Sequence, residues 1–176
     1  HGMVLVAWIQ DSATDQLVLG QYVNYLPNTV QFMQPFGAQF LISPENRLRE
    51  GDPAPTPGQE FSVLRSNLKL AEYPYGARTT FVYQEQIVYQ SGNQLATDMI
   101  TAGEDVPSRV IAGSVVDNFM TGDFIVDSFD SNAINPCIAG FDGWMNKFAV
   151  VTWQRKTNSS ETAGLWWRSV YPTVWA

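Results

Sequence analysis

Three aspartates in the second half of the chain come closest to a catalytic pattern. They are Asp123, Asp127 and Asp130. In an extended strand Asp123 and Asp127 are expected to share one face, with Asp130 on the other. Paired carboxylates can bind calcium or cleave a glycosidic bond. The glycine and the terminal bidentate acid of a calcium loop are missing, so we predict solvated residues of a strand face and a turn. A glycosidase using Asp123 or Asp127 is the less favoured alternative.

The counts of histidine and cysteine argue against most other catalytic and metal chemistry. The chain has one histidine, His1, and one cysteine, Cys137. A zinc site needs more such ligands, and a hydroxyl nucleophile usually needs a base beside it. No Gly-rich phosphate loop follows a strand. We therefore predict that the protein is not an enzyme and has no metal site and no cofactor.

The two residues themselves have simple interpretations. An N-terminal histidine can bind copper through its amine and its ring, but that site needs a second histidine, which this sequence lacks. We interpret residues 1–2 as the remnant of an expression tag. Cys137 has no partner for an internal disulfide and is expected to be a buried, inert thiol.

Tryptophan is the strongest remaining signal, because most of these residues crowd the last third of the chain. Trp166 and Trp167 are adjacent, so a strand would place them on opposite faces. An exposed tryptophan can stack on a sugar ring or anchor a protein interface; the alternative is that loops cover these rings. The candidate receptor, ligand or interface residues are Trp144, Trp153, Trp166, Trp167 and Trp175.

The apolar pattern that must position these residues predicts an all-β fold. No window keeps a 3.6-residue period over the ~11 residues of an average helix. Short runs rich in β-branched and aromatic residues alternate with turn clusters instead. About ten short strands indicate an antiparallel β-sandwich, such as a jelly roll, or a barrel, with little helix. The predicted strands are 3–9, 16–25, 29–33, 39–42, 61–65, 79–83, 86–89, 95–101, 109–116, 123–129, 148–153 and 165–170, with one helical turn at 117–120.

Loops and turns complete this organisation. The first two strands are expected to form a hairpin across the turn at 11–15, and 91–93 is a second turn. The last two strands form a hairpin around the polar loop 154–164, which carries a glycosylation sequon at Asn158. Repeated prolines make 44–58 an exposed connection, because proline cannot donate to a ladder. We predict that 3–176 is one domain.

Composition limits the partners. The length of 176 residues suits a single domain. The net charge of −7 disfavours nucleic-acid binding, and no run approaches the ~18 apolar residues of a membrane span. Charged residues are only 15% of the chain, against about 25% in typical domains. Such a polar but weakly charged surface is common in secreted and particle-surface β proteins.

Two segments resemble the protruding domains of non-enveloped, positive-strand RNA virus capsids. The stretch FDGWMNKF at 141–148 is similar to the FDxWVNxF stretch near the C-terminal end of the calicivirus protruding domain. Residues 53–76 resemble the start of the hepatitis E virus spike domain. The resemblance implies a domain on the virion surface that binds a host receptor or glycan and forms a homodimer or other homo-oligomer.

Three functions follow from the sequence as hypotheses. The leading one is a capsid surface domain for host attachment and oligomerisation, without catalysis. The second is a secreted carbohydrate-binding β-sandwich in which Trp166 or Trp167 stacks on sugar rings. The third is the carboxylate-based glycosidase.

Overall fold

The computed structural model describes ten strands, each paired antiparallel with its neighbours, and it confirms the predicted all-β fold class. It describes residues 2–12, 15–25, 33–43, 48–72, 78–89, 106–116, 119–129, 132–142, 147–155 and 164–170. The strands are β1 (Gly2–Asp11), β2 (Gln16–Tyr25), β3 (Met33–Leu41), β4 (Phe61–Glu72), β5 (Arg78–Tyr89), β6 (Ser108–Val116), β7 (Phe119–Asp127), β8 (Ala133–Asp142), β9 (Lys147–Arg155) and β10 (Leu165–Val170).

The strands form three sheets, and each sheet is a simple meander. Sheet A has the order β1–β2–β3, sheet B has β4–β5–β6–β7, and sheet C has β8–β9–β10. Within each sheet every strand therefore pairs with the strand before or after it in the chain. A jelly roll needs Greek-key crossovers, so the described strands do not have the predicted jelly-roll order.

Sheet B is the central layer, and its two faces are covered by the two other sheets. Phe81 and Tyr83 of β5 pack with Val18 of β2 on the side of sheet A. Val82 lies between them in sequence and packs on the opposite side with Val151 of sheet C. Because side chains alternate along a strand, burial on both faces makes nearly every residue of the central strands a core residue. Residues 80–85 are all buried, charged and polar ones included.

The predicted terminal hairpins are confirmed. β1 pairs with β2, and β10 pairs with β9, with the bounds of β2 and β10 as predicted. Some strands are longer than predicted. The runs 79–83 and 86–89 are one strand, β5, because Glu85 and its polar neighbours are buried within it rather than forming a turn. Pro35 lies inside β3 rather than between strands, which is tolerated because β3 is an edge strand of its sheet.

Other predictions were wrong or lie outside the description. Strand β8 was missed, since Asn135 with its positive φ and the following Pro136 interrupt the alternation at a β-bulge. Residues 119–120 belong to strand β7 and not to a helical turn. The predicted strand 95–101 and the turn 91–93 lie outside the described residues. Among the described residues, no helix has the length and hydropathy needed to cross a bilayer.

The inner face of sheet A is closely packed at Gly20. A Cβ at this position would lie 2.8 Å from Cδ1 of Ile42 and 3.0 Å from the ring of Phe40. Ile42 is fully buried, so it has little room to move. Gly20 is therefore required for the close approach of β2 to the end of β3.

We expect Gly20→Ala to lower the free energy of unfolding by about 1–3 kcal/mol, the usual cost of overpacking. The measurement is urea unfolding followed by circular dichroism. Gly164→Ala is the matched control, since the nearest atom to its added Cβ is 3.8 Å away, and it should change stability by less than about 0.5 kcal/mol. Equal effects of the two substitutions would contradict the packing described.

Candidate functional site

Three charged residues form a row across the central sheet. Arg65 of β4, Glu85 of β5 and Arg109 of β6 are direct neighbours in the strand register. Glu85 lies between the two guanidinium groups: Nε of Arg65 is 3.1 Å from its Oε2, and Nη2 of Arg109 is 2.7 Å from its Oε1. All three side chains are buried. Opposite charges on adjacent strands stabilise the pairing.

The proline-rich connection closes over this row. Asp52 accepts two hydrogen bonds from the guanidinium of Arg109. Arg49 donates two hydrogen bonds to Asp123 of β7, and its Nε lies 3.5 Å from Oε1 of Glu85. The connection has no strand between residues 48 and 60, as predicted. It is nevertheless not wholly exposed, because Arg49 and Asp52 are held against sheet B.

We call the six residues Arg49, Asp52, Arg65, Glu85, Arg109 and Asp123 the ionic cluster. Its three guanidinium groups and three carboxylates balance in formal charge. Burial opposes the charge on Arg49, but the hydrogen bond to Asp123 and the nearby Glu85 outweigh this and raise its pKa. Burial, followed by the carboxylates of Glu85 and Asp123, also raises the pKa of the Tyr83 phenol. Every carboxylate of the cluster contacts a guanidinium group, which makes the cluster a structural element.

The turn between β1 and β2 joins sheet A to this site. The backbone N–H groups of Val63 and Arg65, on edge strand β4, donate to the side chains of Asp15 and Gln16 at 3.0 and 2.9 Å. Nη1 of Arg65 donates to the carbonyl oxygen of Gln16 at 2.6 Å. These contacts satisfy donors of β4 that would otherwise be available for pairing with another strand.

Asp123 and Asp127 do not share a face, contrary to the sequence-based prediction. Asp123 belongs to the ionic cluster on the side of sheet A, whereas Asp127 accepts hydrogen bonds from Trp153 and Arg155 of sheet C. A β-bulge in β7 causes the difference, since Ile111 pairs with residue 125 but Val110 pairs with Asp127. Two carboxylates on opposite faces cannot flank one glycosidic bond.

The prediction that the two aspartates are solvated was also wrong. Asp127 is buried, and the side chain of Asp123 is only 10% exposed. Each is paired with an arginine. Asp130 lies outside the described residues. Among the described residues, no group of three or more His, Cys, Asp and Glu side chains could hold a metal ion.

The five candidate tryptophans have different environments. Trp153 was predicted to be a contact residue, but it is buried in the core between sheets B and C and its ring is not available to a ligand. Trp166 pairs with Trp153 across β9 and β10 and is 45% exposed, with the guanidinium of Arg155 3.7 Å from its ring centroid. Trp167 points to the opposite face and is 68% exposed. Trp144 and Trp175, like the sequon at Asn158, lie outside the described residues.

Trp167 belongs to an apolar surface on the outside of sheet C. The strand register places on this face the polar Gln154 and Ser169 and eight further residues: Cys137, Ala139 and Phe141 of β8, Phe148, Val150 and Thr152 of β9, and Leu165 and Trp167 of β10. We call these eight residues the aromatic face. Leu165 is 72% exposed and Phe141 is 52% exposed. Contiguous exposed apolar residues of this kind mark interaction sites.

Cys137 corrects a further prediction. Its thiol was expected to be buried, but it is exposed and free. The cause is the β-bulge between Ile134 and Cys137 in β8, which sets the face on which the following residues lie. Cys137 is paired with Thr152 in the register and belongs to the aromatic face.

Sequence reasoning missed the ionic cluster altogether. A signal was present in the sequence, since Glu85 and Arg109 each lie in or beside a strand-like run of largely uncharged residues. A charge that is buried in such a strand requires a partner. The partners come from segments far apart in the chain, such as Asp52 and Asp123, and no local pattern connects them.

Comparisons with known proteins identify no protein that is related to this chain. No protein-family model matches the chain, and no curated protein or solved structure is significantly similar to it. The function must therefore be argued from the described residues.

We expect Glu85→Gln to lower the free energy of unfolding by about 3–5 kcal/mol, because it leaves two buried guanidinium groups beside a neutral amide. Urea unfolding followed by tryptophan fluorescence measures this. Glu60→Gln is the matched control at an exposed site, with an expected change below about 0.5 kcal/mol. A loss below about 1 kcal/mol for Glu85→Gln would show that the cluster is not the structural element described.

Proposed function

We propose that this chain is a non-enzymatic surface domain of a virus capsid that assembles with copies of itself and attaches to a host receptor. The observation that carries the proposal is the aromatic face, where Trp167 and Leu165 are about two-thirds exposed on the outside of a sheet. Tryptophan, with tyrosine and arginine, is enriched among the residues that contribute most to binding at protein interfaces.

The location of the viral resemblance supports the same surface. The stretch at 141–148 joins β8 to β9, and its first and last residues are Phe141 and Phe148. Their ring centroids lie 5.0 Å apart, and both belong to the aromatic face. A particle-surface domain also needs a rigid scaffold, and sheet B with its ionic cluster provides one.

Carbohydrate binding is the second candidate, and one observation favours it. Trp167 presents an exposed indole beside Thr152 on the outside of sheet C, and aromatic rings of this kind can stack on sugar rings. Trp166 is less suited, since Arg155 already lies over its ring.

Assembly predicts that the protein associates at micromolar concentration and that Trp167→Ser makes it monomeric. The reason is the loss of the largest apolar side chain from the aromatic face. Light scattering coupled to size-exclusion chromatography measures the mass at several concentrations.

Val6→Ser is the matched control, because Val6 is an exposed apolar residue on the outside of sheet A. It should leave the mass unchanged. A wild-type protein that stays monomeric up to about 100 μM, well above the micromolar range of weak complexes, would contradict the assembly part of the proposal.

If the protein binds carbohydrate, we expect the wild type to bind specific glycans on an array and Trp167→Ala to lose this binding, because the ring that would stack on the sugar is removed. Trp8→Ala is the control, since Trp8 is a partly buried tryptophan on sheet A. Glycan binding that is lost only in Trp167→Ala would favour the second candidate or a glycan receptor. If the wild-type protein binds no glycan on the array, the second candidate is excluded, and a protein is then the expected receptor.

A further inference from the structure

We propose that Arg155, Trp166 and Arg168 form a binding site for a sugar that carries a single anionic group, a carboxylate or a sulfate. The site lies on the inner face of sheet C, along the edge strand β10, and is therefore separate from the aromatic face on the outside. The inference rests on the attachment part of the proposed function, for which it names the chemical class of the receptor.

The site lies at the open edge between sheets B and C. Residues directly opposite each other on paired strands share a face, so Trp166 and Arg168 lie on the same face as their partners Trp153 and Val151. Those two partners on β9 are buried in the core between the sheets. Trp166 and Arg168 on the edge strand are exposed. This part of the inner face is therefore accessible to a ligand.

Arg155 is held in one orientation by two contacts. Its Nε and Nη2 donate to the carboxylate of Asp127 at 2.6 and 3.2 Å. Its guanidinium also lies over the ring of Trp166, with 3.7 Å between its central carbon and the ring centroid, which is a favourable cation–π contact. Because Asp127 is itself buried, the guanidinium is fixed from the protein side, and a ligand that binds it has less side-chain entropy to remove.

The outward edge of this guanidinium is available for hydrogen bonding. A guanidinium has five N–H donors, and the contacts with Asp127 use Nε–H and one N–H of Nη2. Within the described part of the chain, no acceptor binds Nη1 of Arg155 or the second N–H of Nη2, and the side chain is 28% exposed. These two donors form a fork that fits two oxygens of one anionic group.

Arg168 gives the site a net positive charge. Every other arginine whose side chain the structure describes contacts a carboxylate. Arg168 has no such contact with any described residue and lies near the ring of Phe124. Asp127 balances Arg155, so Arg168 leaves one uncompensated positive charge at the site. The whole chain has a net charge of −7, which repels polyanions. A ligand with one negative charge is therefore favoured.

Trp166 favours a sugar over a small inorganic anion. Arg155 covers one face of its ring, but the residue is still 45% exposed. Among the described residues, none accepts a hydrogen bond from its indole N–H. The nitrogen remains approachable because Gly164 is beside it, where an added Cβ would lie 3.8 Å away. A sugar hydroxyl can accept this N–H, and the C–H groups of the sugar can pack on the exposed part of the indole.

The small number of contacts implies weak binding. One bidentate ion pair and one partly exposed ring predict a dissociation constant of roughly 1 mM for a monosaccharide. Attachment to a host surface through such a site would depend on many copies acting together, since multivalency raises avidity without new contacts.

Nuclear magnetic resonance titrations with matched sugars test the site. Methyl glucuronide carries a carboxylate, a sulfated glucose carries a sulfate, methyl glucoside has the same ring without a charge, and acetate has a carboxylate without a ring. The indole N–H signal of Trp166 is assigned by its absence in Trp166→Phe. It should shift at roughly millimolar glucuronide or sulfated glucose, and the arm that binds more tightly identifies the anionic group. Glucoside and acetate should bind at least tenfold more weakly.

Substitutions test the role of each arginine. Arg155→Lys keeps a charge beside Asp127 but removes the fork, and it should weaken binding at least tenfold. Arg168→Gln should weaken binding about threefold at low salt and less at about 1 M salt. Lys69→Gln is the matched control, because Lys69 is an exposed cation on β4 and its loss changes the net charge equally. Its affinity should be that of the wild type. Circular dichroism verifies folding, and Arg168→Gln, which removes no ion pair, keeps the test decisive if Arg155→Lys unfolds.

The outcomes separate this inference from the proposed function. Equal affinity for glucoside and the acidic sugars, or full affinity in Arg168→Gln at low salt, would overturn the site. Binding that is lost in Trp167→Ala but retained in Arg168→Gln would move the sugar to the aromatic face, so that attachment stands and this inference is wrong. Attachment to host cells without any response of Trp166 to acidic sugars up to about 50 mM, well above the expected dissociation constant, would do the same. A response of Trp166 in a protein that does not bind host cells would support the site and contradict its role in attachment.

Discussion

The buried ionic cluster is the interaction on which the rest of the structure depends. Glu85 lies at the centre of sheet B between Arg65 and Arg109, with each charge taken out of water. Removing an ion from water is costly, and only close opposite charges and hydrogen bonds offset the cost. The cluster therefore works as a unit. It fixes the register of β4, β5 and β6, and it holds the proline-rich connection through Arg49 and Asp52.

This central constraint explains the layered architecture. Sheet B carries apolar clusters on both faces beside the neutralised row of charges, and sheets A and C cover these clusters. Within the described part of the chain, sheets A and C each pack one face on sheet B and have exposed apolar residues on the other. On sheet C this outer face carries Trp167 and Leu165. The ionic cluster thus lies in the covered central sheet, while apolar side chains of sheet C are exposed on the outside, as the proposed assembly and attachment require.

Local patterns predicted the fold class and the two terminal hairpins, because alternation of apolar residues and turn chemistry are local properties. They failed where distant residues decide the outcome. Polar residues inside β5 resembled a break, because Glu85 is stabilised by partners that lie 20 and 24 positions away in the chain. The bulge in β7 placed Asp127 on the face opposite to that of Asp123, since an inserted residue changes the two-residue period of a strand. The bulge in β8 lies just before Cys137, which is exposed rather than buried.

The same limits applied to the candidate site. The sequence singled out Trp166 and Trp167 and placed them on opposite faces, which is how the register orients them. It could not separate the exposed Trp167 from the buried Trp153, because burial depends on which sheet covers each face. Composition also gave no sign that the outside of sheet C would be apolar, since the residues that form it come from three separate strands.

Hydrogen exchange measured by mass spectrometry at two protein concentrations tests the central claim most directly. That claim is a rigid core with an association surface on the outside of sheet C. The account predicts that β5 and β6 are the most protected strands at both concentrations, while protection of β9 and β10 rises with concentration. Exchange in β9 and β10 that is independent of concentration, or a central sheet that exchanges faster than the outer sheets, would contradict the account.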